Sequence, residues 1–538
     1  MEKGSVFDLF ARAAARNPQG AFLCVLAETA GVYGIEPGEI SYAEALARTL
    51  ALSRAYENAG FGAGLRVGVL VENRPAFFWH WFALNRLGVS IVPINPDLRA
   101  AEIEYMIAHS DMCAAVVIPS RRKDMEDAAK AVGRALQLID VDGQLPPLAT
   151  KAQPTQPASD AECALLYTSG TTGRPKGCVL ANEYFHVCGD WYAQTGGMIA
   201  LRQNCERMIT PLPLFHMNAM ACSTAGMLSV GGCLTFVDRF HPKSWWSSVR
   251  ESRATMLHYL GVMPAMLMAA PEQPSDRMEH IRFGFGAGVD RALHGPFEQR
   301  FGFPLVEAWA MTETGSGAVI SAHEEPRHIG TNCFGRATPD VEARVVLEDG
   351  SEAAVDTPGE LLVRRAGANP RFGFFREYLK DPEATAEAWE GGWFHTGDVV
   401  RRAADGSFHF VDRRKNVIRR SGENISAVEV ESVLQRHPAI RQVACVATPD
   451  AVRGDEVLAL IVLNDPKPPD DAALAQEVAE FCLSRLAYYK APGWVAFVPS
   501  IPLTGTQKIQ RAALRQLAQD RMDAGACHDT RALKRRGA

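Results

Sequence analysis

No CxxC pair and no histidine–cysteine cluster at zinc spacing occurs in this chain, so its twelve cysteines announce neither a metal centre nor a redox motif. Scattered as they are, they read as reduced thiols filling core positions, and a cytoplasmic location is the expectation. No apolar stretch approaches the roughly 20 residues that a membrane span needs. The first residues, MEKGSVFDLFARAAARNP, have amphipathic spacing but no apolar signal core. A basic excess is missing too: 56 Lys and Arg face 62 Asp and Glu, a formal charge of −6, which argues against nucleic acid as a partner. The basic exception is the final RALKRRGA, read as a solvated tail. Internal repeats and low-complexity blocks are likewise not visible. What the chain does have is length, 538 residues at 47% hydrophobic, enough for two or more packed units.

Up to about residue 150, helical patterns such as YAEALARTLALSRAYENAG alternate with the short apolar runs RVGVLVEN, GVSIVPINP and AAVVIP, which predicts an α/β parallel sheet. A stretch rich in proline and small polar residues, 144–160, marks a surface connection before the strand CALLYT. A second α/β stretch runs to about residue 320, with MLHYLGVMP and IRFGFGAGV as strand-like pieces. Beyond Gly330, alternating segments broken by DG and PG turns predict a smaller β-rich subdomain. From Asn416 the pattern becomes a separate α+β module, so the domains are set at 1–415 and 416–538.

The sharpest motif is YTSGTTGRPKG, Tyr167 to Gly177, directly after an apolar strand. Gly170 and Gly173 permit turns that side chains would obstruct, Thr168, Ser169, Thr171 and Thr172 offer hydroxyls, and Lys176 adds a positive charge, so the loop suits a polyphosphate. It is not a Walker A loop, because Lys176 is followed by glycine and the glycines are spaced differently, which disfavours γ-phosphoryl transfer. Downstream, EAWAMTETG places Trp309 where a flat ring could stack on a base, and Thr312 and Glu313 where a hydroxyl and a carboxylate could meet phosphate and Mg²⁺. GWFHTGD supplies Asp398, a carboxylate suited to ribose hydroxyls, and VDRRKNVIRRSGENISAVEVE combines the Arg413 guanidinium with a glycine turn and a helix start. Singly, a TE pair or a GD turn is more often capping or turn chemistry than catalysis.

Together, in this order, the segments resemble the adenylate-forming superfamily, which includes acyl-CoA synthetases, and the resemblance covers about residues 40 to 515. It implies a large N-terminal domain of two α/β sheets plus a β-barrel-like subdomain, and a small mobile α+β C-terminal domain hinged at Asn416. It also implies a reaction: an acid is activated by ATP as an acyl-adenylate and then transferred to coenzyme A. By this resemblance the loop holds the β- and γ-phosphates, Gly286, Ala287 and Gly288 approach adenine, Glu313 helps bind Mg²⁺, and Asp398 and Arg413 take the ribose. Lys508 in PLTGTQKIQR is the implied adenylation lysine, and Gly422 leaves room for the pantetheine arm of CoA after the C-terminal domain has rotated. His216 in PLFHMN falls near the acyl-pocket entrance, and Trp191, Tyr192, His258, Tyr259 and Val262 fall in pocket-lining segments.

Five positions depart from the commonest pattern of that family. Trp309 and Ala310 stand where tyrosine and glycine are usual, Gln507 precedes Lys508 in place of glycine, Gly288 stands where proline or alanine is frequent, and Asn416 replaces a hinge aspartate. Local texture resembles the carnitine/crotonobetaine–CoA ligase branch, for which an aromatic cage including Trp191 or Tyr192 is expected around a quaternary ammonium group. Aryl and aliphatic acids stay open. The alternative reading is a stand-alone adenylation enzyme that loads a carrier protein; a light-emitting oxygenase and a non-catalytic ligand sensor are weaker rivals. The expected partners are a small carboxylic acid, ATP and CoA, without nucleic acid or a membrane span, with a homodimer as the one assembly considered.

Overall fold

Short runs that are apolar on both faces form parallel strands inside two sheets, because only a sheet covered on both sides can bury them. The computed structural model describes residues 4–98, 100–149, 151–168, 175–278, 280–413, 417–420, 423–450, 454–464, 471–486, 488–503 and 509–534. One sheet has eight strands in the order Ile320–Ser321, Leu305–Trp309, Phe283–Ala287, Met256–Leu260, Arg207–Thr210, Cys233–Phe236, Ala21–Val25 and Gly38–Ser41. All but its two edge strands run parallel. A second sheet has seven, in the order Glu377–Tyr378, Lys176–Ala181, Glu162–Thr168, Ser90–Pro93, Arg66–Leu70, Ala114–Val117 and Gln137–Asp140. Parallel pairing gives way to antiparallel pairing where Glu162–Thr168 meets Lys176–Ala181.

Local signals explain the helices that cover these sheets. Ser41 and Glu44 form a reciprocal capping box on Tyr42–Ala59, and Gly60 ends that helix in the left-handed conformation that a side chain would disfavour. Ser5 and Asp8 cap Val6–Arg16 in the same way, and this helix buries Val6, Leu9, Phe10, Ala13 and Ala14. Ala76–Arg86 is apolar nearly all round and correspondingly lies inside, with Trp81 and Phe82 fully buried.

A five-stranded antiparallel sheet occupies the β-rich region, in the order Cys333–Gly335, Phe408–Arg413, Phe394–Arg402, Gly359–Arg365 and Val341–Val346. The small C-terminal unit builds its own sheet from Glu423–Ser426, Val417–Arg420, Gly454–Leu463, Trp494–Phe497 and His528–Asp529, with Ile440–Asp450 paired to Gly454–Leu463. Helices Ala427–Leu434, Asp471–Leu483 and Arg511–Asp523 accompany it, and the sheet has a separate core on each face. The last residues correct the expectation of a solvated tail. His528–Asp529 is a paired strand, and Lys534 is 6% exposed against Glu456; 535–538 lie outside the described residues. Nine of the twelve thiols are buried. Among the described residues, no helix is long and apolar enough to cross a membrane.

Candidate active site

The expected phosphate loop is framed by two paired strands. Thr168 ends one and Lys176 begins the other, directly opposite in the register, while Ser169, Gly170, Thr171, Thr172 and Gly173 lie outside the described residues. Lys176 Nζ stands 4.7 Å from the centre of the Tyr378 ring, on the strand that pairs with its own. The Tyr378 hydroxyl in turn donates to Glu313 Oε1 at 2.9 Å. Burial, followed by the Glu313 charge, pushes the Tyr378 hydroxyl far up, so it stays protonated and remains a donor. Lys176 and Glu313, picked from two separate motifs, thus meet at a tyrosine that no motif singled out, with Thr168 opposite Lys176 in the strand register.

The backbone of the TE pair is held from outside. Tyr184 donates its hydroxyl to the Thr312 carbonyl at 2.9 Å, and the Phe375 amide donates to the Glu313 carbonyl at 2.8 Å. Gly315 must be glycine here: its φ is +49°, and a Cβ would lie 2.4 Å from the Tyr184 ring. Glu313 itself is buried, at 6% exposure.

Gly286 and Ala287 close the strand Phe283–Ala287, and Gly288 turns away with a φ of +81° under the control of a residue that sequence reasoning missed. Glu307 accepts from the Gly288 amide at 2.8 Å, the Val289 amide at 3.2 Å and the Tyr259 hydroxyl at 2.5 Å. Burial raises its carboxyl above the usual range, against the pull of these donors. The available signal was a lone acid in the otherwise apolar strand LVEAW, which has to find partners. Packing around the turn is backbone against backbone, since a Cβ at Gly261 would fall 1.7 Å from the Gly288 carbonyl oxygen.

Asp398 lies opposite Arg413 in the five-stranded sheet; the Arg413 side chain is outside the description. Trp309, read from the sequence as a stacking surface, is 6% exposed and donates its indole N–H to Asp398 Oδ2 at 2.8 Å. Its polar edge is therefore committed to orienting the carboxylate. Trp309→Phe keeps the ring and loses the donor; because a hydrogen bond to a charged group is worth about 1.5–3 kcal/mol, kcat/KM for ATP is expected to fall roughly tenfold or more. Steady-state kinetics in varied ATP checks this, and an unchanged value would remove Trp309 from nucleotide binding.

The pocket residues separate on burial. His216 is half-buried, its ring 4.7 Å from that of Phe215, and leads into a π-helical turn, Asn218–Ser223, an uncommon form often found at functional sites. His258 is fully buried, bonded through Nε2 to the Tyr192 hydroxyl (2.9 Å) and through Nδ1 to Ser223 Oγ (2.8 Å) and Asn218 Oδ1 (3.0 Å). Burial lowers its pKa to about 3, so it remains neutral. Tyr192 is likewise fully buried, which corrects the aromatic-cage expectation: it has no ring face to offer a ligand. Tyr259 is spent on Glu307, whereas Val262 is exposed and Trp191 half-buried. Lys508, Gln507, Gly422 and Asn416 lie outside the described residues.

A strand pair framing the Ser/Thr/Gly segment, a carboxylate beside Lys176 and an aspartate paired with Arg413 in the five-stranded sheet are what a nucleotide-using enzyme would present. Comparison with known proteins makes the class specific. The AMP-binding enzyme model matches residues 10–378 and the AMP-binding enzyme C-terminal domain model matches 429–508, and the chain belongs to this family. The crotonobetaine/carnitine–CoA ligase of Salmonella paratyphi A is 30% identical over 494 residues, 89% of this chain and 93% of that protein. Its counterpart in Salmonella agona is 29% identical over 516 residues, 91% and 97% respectively. ATP-bound MatB from Rhodopseudomonas palustris has 25% identity and a TM-score of 0.78 over 97% of this chain and 99% of its own. The o-succinylbenzoate CoA synthetase MenE of Bacillus subtilis, solved with its acyl-adenylate, shares the fold at 24% identity, with a TM-score of 0.81 over 96% and 98%.

Proposed function

We propose that this enzyme activates a small betaine-type carboxylic acid, using the residues assembled above. It is an AMP- and pyrophosphate-forming acid–CoA ligase. The acid carboxylate attacks the α-phosphorus of ATP and pyrophosphate leaves; the CoA thiol, losing its proton, then displaces AMP from the acyl carbonyl. The observation that carries the residue assignment is the meeting of Lys176 and Glu313 at Tyr378, with Thr168 paired opposite Lys176. Thr168 and Lys176 take the β- and γ-phosphates with Ser169, Gly170, Thr171, Thr172 and Gly173. Gly286, Ala287 and Gly288, set by Glu307, face the base, and Asp398, set by Trp309, takes the ribose with Arg413.

Magnesium fits this site as a passenger of the nucleotide. Among the described residues, no three His, Cys, Asp or Glu side chains gather to hold a metal ion. One carboxylate beside a phosphate loop matches an ion that is bound through one or two carboxylates plus substrate phosphates, so Glu313 and the Thr312 hydroxyl would hold it. It would neutralise charge between two anions; Lys508 does the same from the C-terminal domain. Domains 1–415 and 416–538, hinged at Asn416, allow Lys508 and Gly422 to serve successive steps. The absence of a disulfide among twelve cysteines supports a cytoplasmic site of action.

The betaine assignment rests on the names of the Salmonella relatives and on Trp191. With Asp190, Asp340 and Phe372, this ring lines a cleft of about 410 Å³, so aromatic faces and carboxylates stand together; Asp340 is also paired with Arg365 at 2.6 Å. Pyrophosphate release over betaines, benzoates and straight-chain acids, each with and without CoA, tests the reading. Betaine-dependent release that turns over only with CoA is the expected result, with the betaine KM raised by Trp191→Ala. Release indifferent to CoA would favour the carrier-loading alternative, and an unchanged betaine KM would remove Trp191.

A further inference from the structure

The match to the C-terminal-domain model ends at residue 508, yet the fold continues to a docked segment with a buried charge. His528–Asp529 pairs antiparallel with Trp494–Val495, and Thr530 is tied to the preceding loop through its amide to the Gly493 carbonyl (3.0 Å) and its hydroxyl to the Pro492 carbonyl (2.8 Å). The Arg531 guanidinium lies 4.4 Å over the Trp494 ring and pairs with Asp450 at 3.0 Å. These contacts carry Lys534 into the domain, where its ammonium donates to Glu456 Oε1.

Glu456 is fully buried, and its other oxygen accepts from Arg420 Nε at 2.8 Å. Arg420, 1% exposed, ends the strand Val417–Arg420, and its register partner Glu423 opens the return strand Glu423–Ser426. Ser421 and Gly422 join the two strands in the chain. Space for the central carboxylate comes from Gly493, where a Cβ would fall 2.4 Å from the Glu456 carboxyl carbon. The result is a buried line of cation, anion and cation, with side chains 2% (Arg420), 0% (Glu456) and 1% (Lys534) exposed, running from just after the Arg531–Leu533 turn to the paired strands Val417–Arg420 and Glu423–Ser426. Burying three charges is costly, and removing the central one would leave two like charges in a dry interior.

We propose that residues 528–534 are a strut for thioester formation: through Lys534, Glu456 and Arg420 they hold in place the paired strands Val417–Arg420 and Glu423–Ser426, between which Gly422, the residue read as facing CoA, lies in the sequence. The inference rests on the reading that Gly422 faces CoA in the second half-reaction. Lys534 and Glu456 are positioning residues, acting through Arg420. Three variants of the full-length enzyme differ in the charge left inside. Lys534→Met keeps one neutral pair, Glu456→Gln leaves two cations, and the double variant leaves one cation beside an amide.

Each half-reaction is measured separately, adenylate formation by acid-dependent ATP–pyrophosphate exchange and thioester formation from supplied acyl-adenylate and CoA. Lys534→Met is expected to raise the KM for CoA or slow thioester formation by about tenfold, with exchange within twofold of wild type and the melting temperature retained. Glu456→Gln should fall further, and adding Lys534→Met to it should recover part of the loss, a rescue that only a shared buried charge produces. If Glu456→Gln does not fold, Lys534→Met alone decides. Equal loss in both half-reactions, or no loss in either, overturns the strut. Gly422→Leu is run beside them: if it leaves thioester formation intact, the CoA-facing role of the hairpin falls, and the strut with it. If it blocks that step while Lys534→Met does not affect it, only the strut falls.

Discussion

Lys508→Ala is expected to lower adenylate formation by at least 10²–10³-fold while thioester formation from supplied acyl-adenylate proceeds at close to the normal rate. The first step brings a carboxylate against a triphosphate, and the negative charge at the α-phosphate grows as the bond forms. A cation held there stabilises the transition state more than the separated reactants, which is the condition for acceleration rather than mere binding. The described residues flanking Lys508 in the sequence are tied together: Leu503 and Ile509 form an antiparallel bridge, and the Gln510 amide donates to the Pro502 carbonyl at 2.9 Å. In the second step no phosphate bond forms, and the thiol needs access instead, so the lysine should be dispensable. ATP–pyrophosphate exchange and adenylate-to-thioester conversion, assayed on one preparation, test this division. Equal loss in both steps would contradict it, and full exchange activity would remove Lys508 from catalysis.

What the sequence made legible was mostly local. The Ser41 box, the Gly60 stop and the two-sided apolar strands are written within a few residues of where they act, and the fold agrees with them there. The motif order also identified which polar residues to follow, but not how they are supported. Tyr378 lies 65 residues beyond Glu313, Asp398 lies 89 beyond Trp309, and Lys534 lies 78 beyond Glu456; nothing in a window of helix or strand length joins such partners. Composition misjudged the basic end for the same reason, because charge counts report solvation only when no buried carboxylate waits elsewhere. Tyr192 shows the converse limit. Its place beside Trp191 suggested a shared pocket face, whereas successive helix positions point about 100° apart, and Tyr192 turned inward to His258. The π-helical turn at Asn218–Ser223 had no local signal at all.

Glu313→Gln isolates charge from shape at the heart of the site. Glutamine fits the same space and its carbonyl can still accept from the Tyr378 hydroxyl, so the contact at 2.9 Å survives while the negative charge does not. Pyrophosphate release is expected to fall about 10²–10³-fold, with saturation requiring more Mg²⁺, because a neutral amide is a poorer magnesium ligand than a carboxylate. Stability should move the other way or not at all. Glu313 is 6% exposed, and a buried carboxylate costs desolvation that an amide avoids, so the variant should melt at or above the wild-type temperature. Lys176 lies near enough to the Tyr378 ring to sense the same pocket, so losing the carboxylate also leaves its cation less well balanced when no nucleotide is bound. Magnesium titrations of initial rate, together with thermal melts, separate these effects. A rate loss that excess Mg²⁺ partly restores in a fully folded variant assigns Glu313 to the metal-bound nucleotide; an Mg²⁺ dependence identical to wild type would confine it to supporting Tyr378.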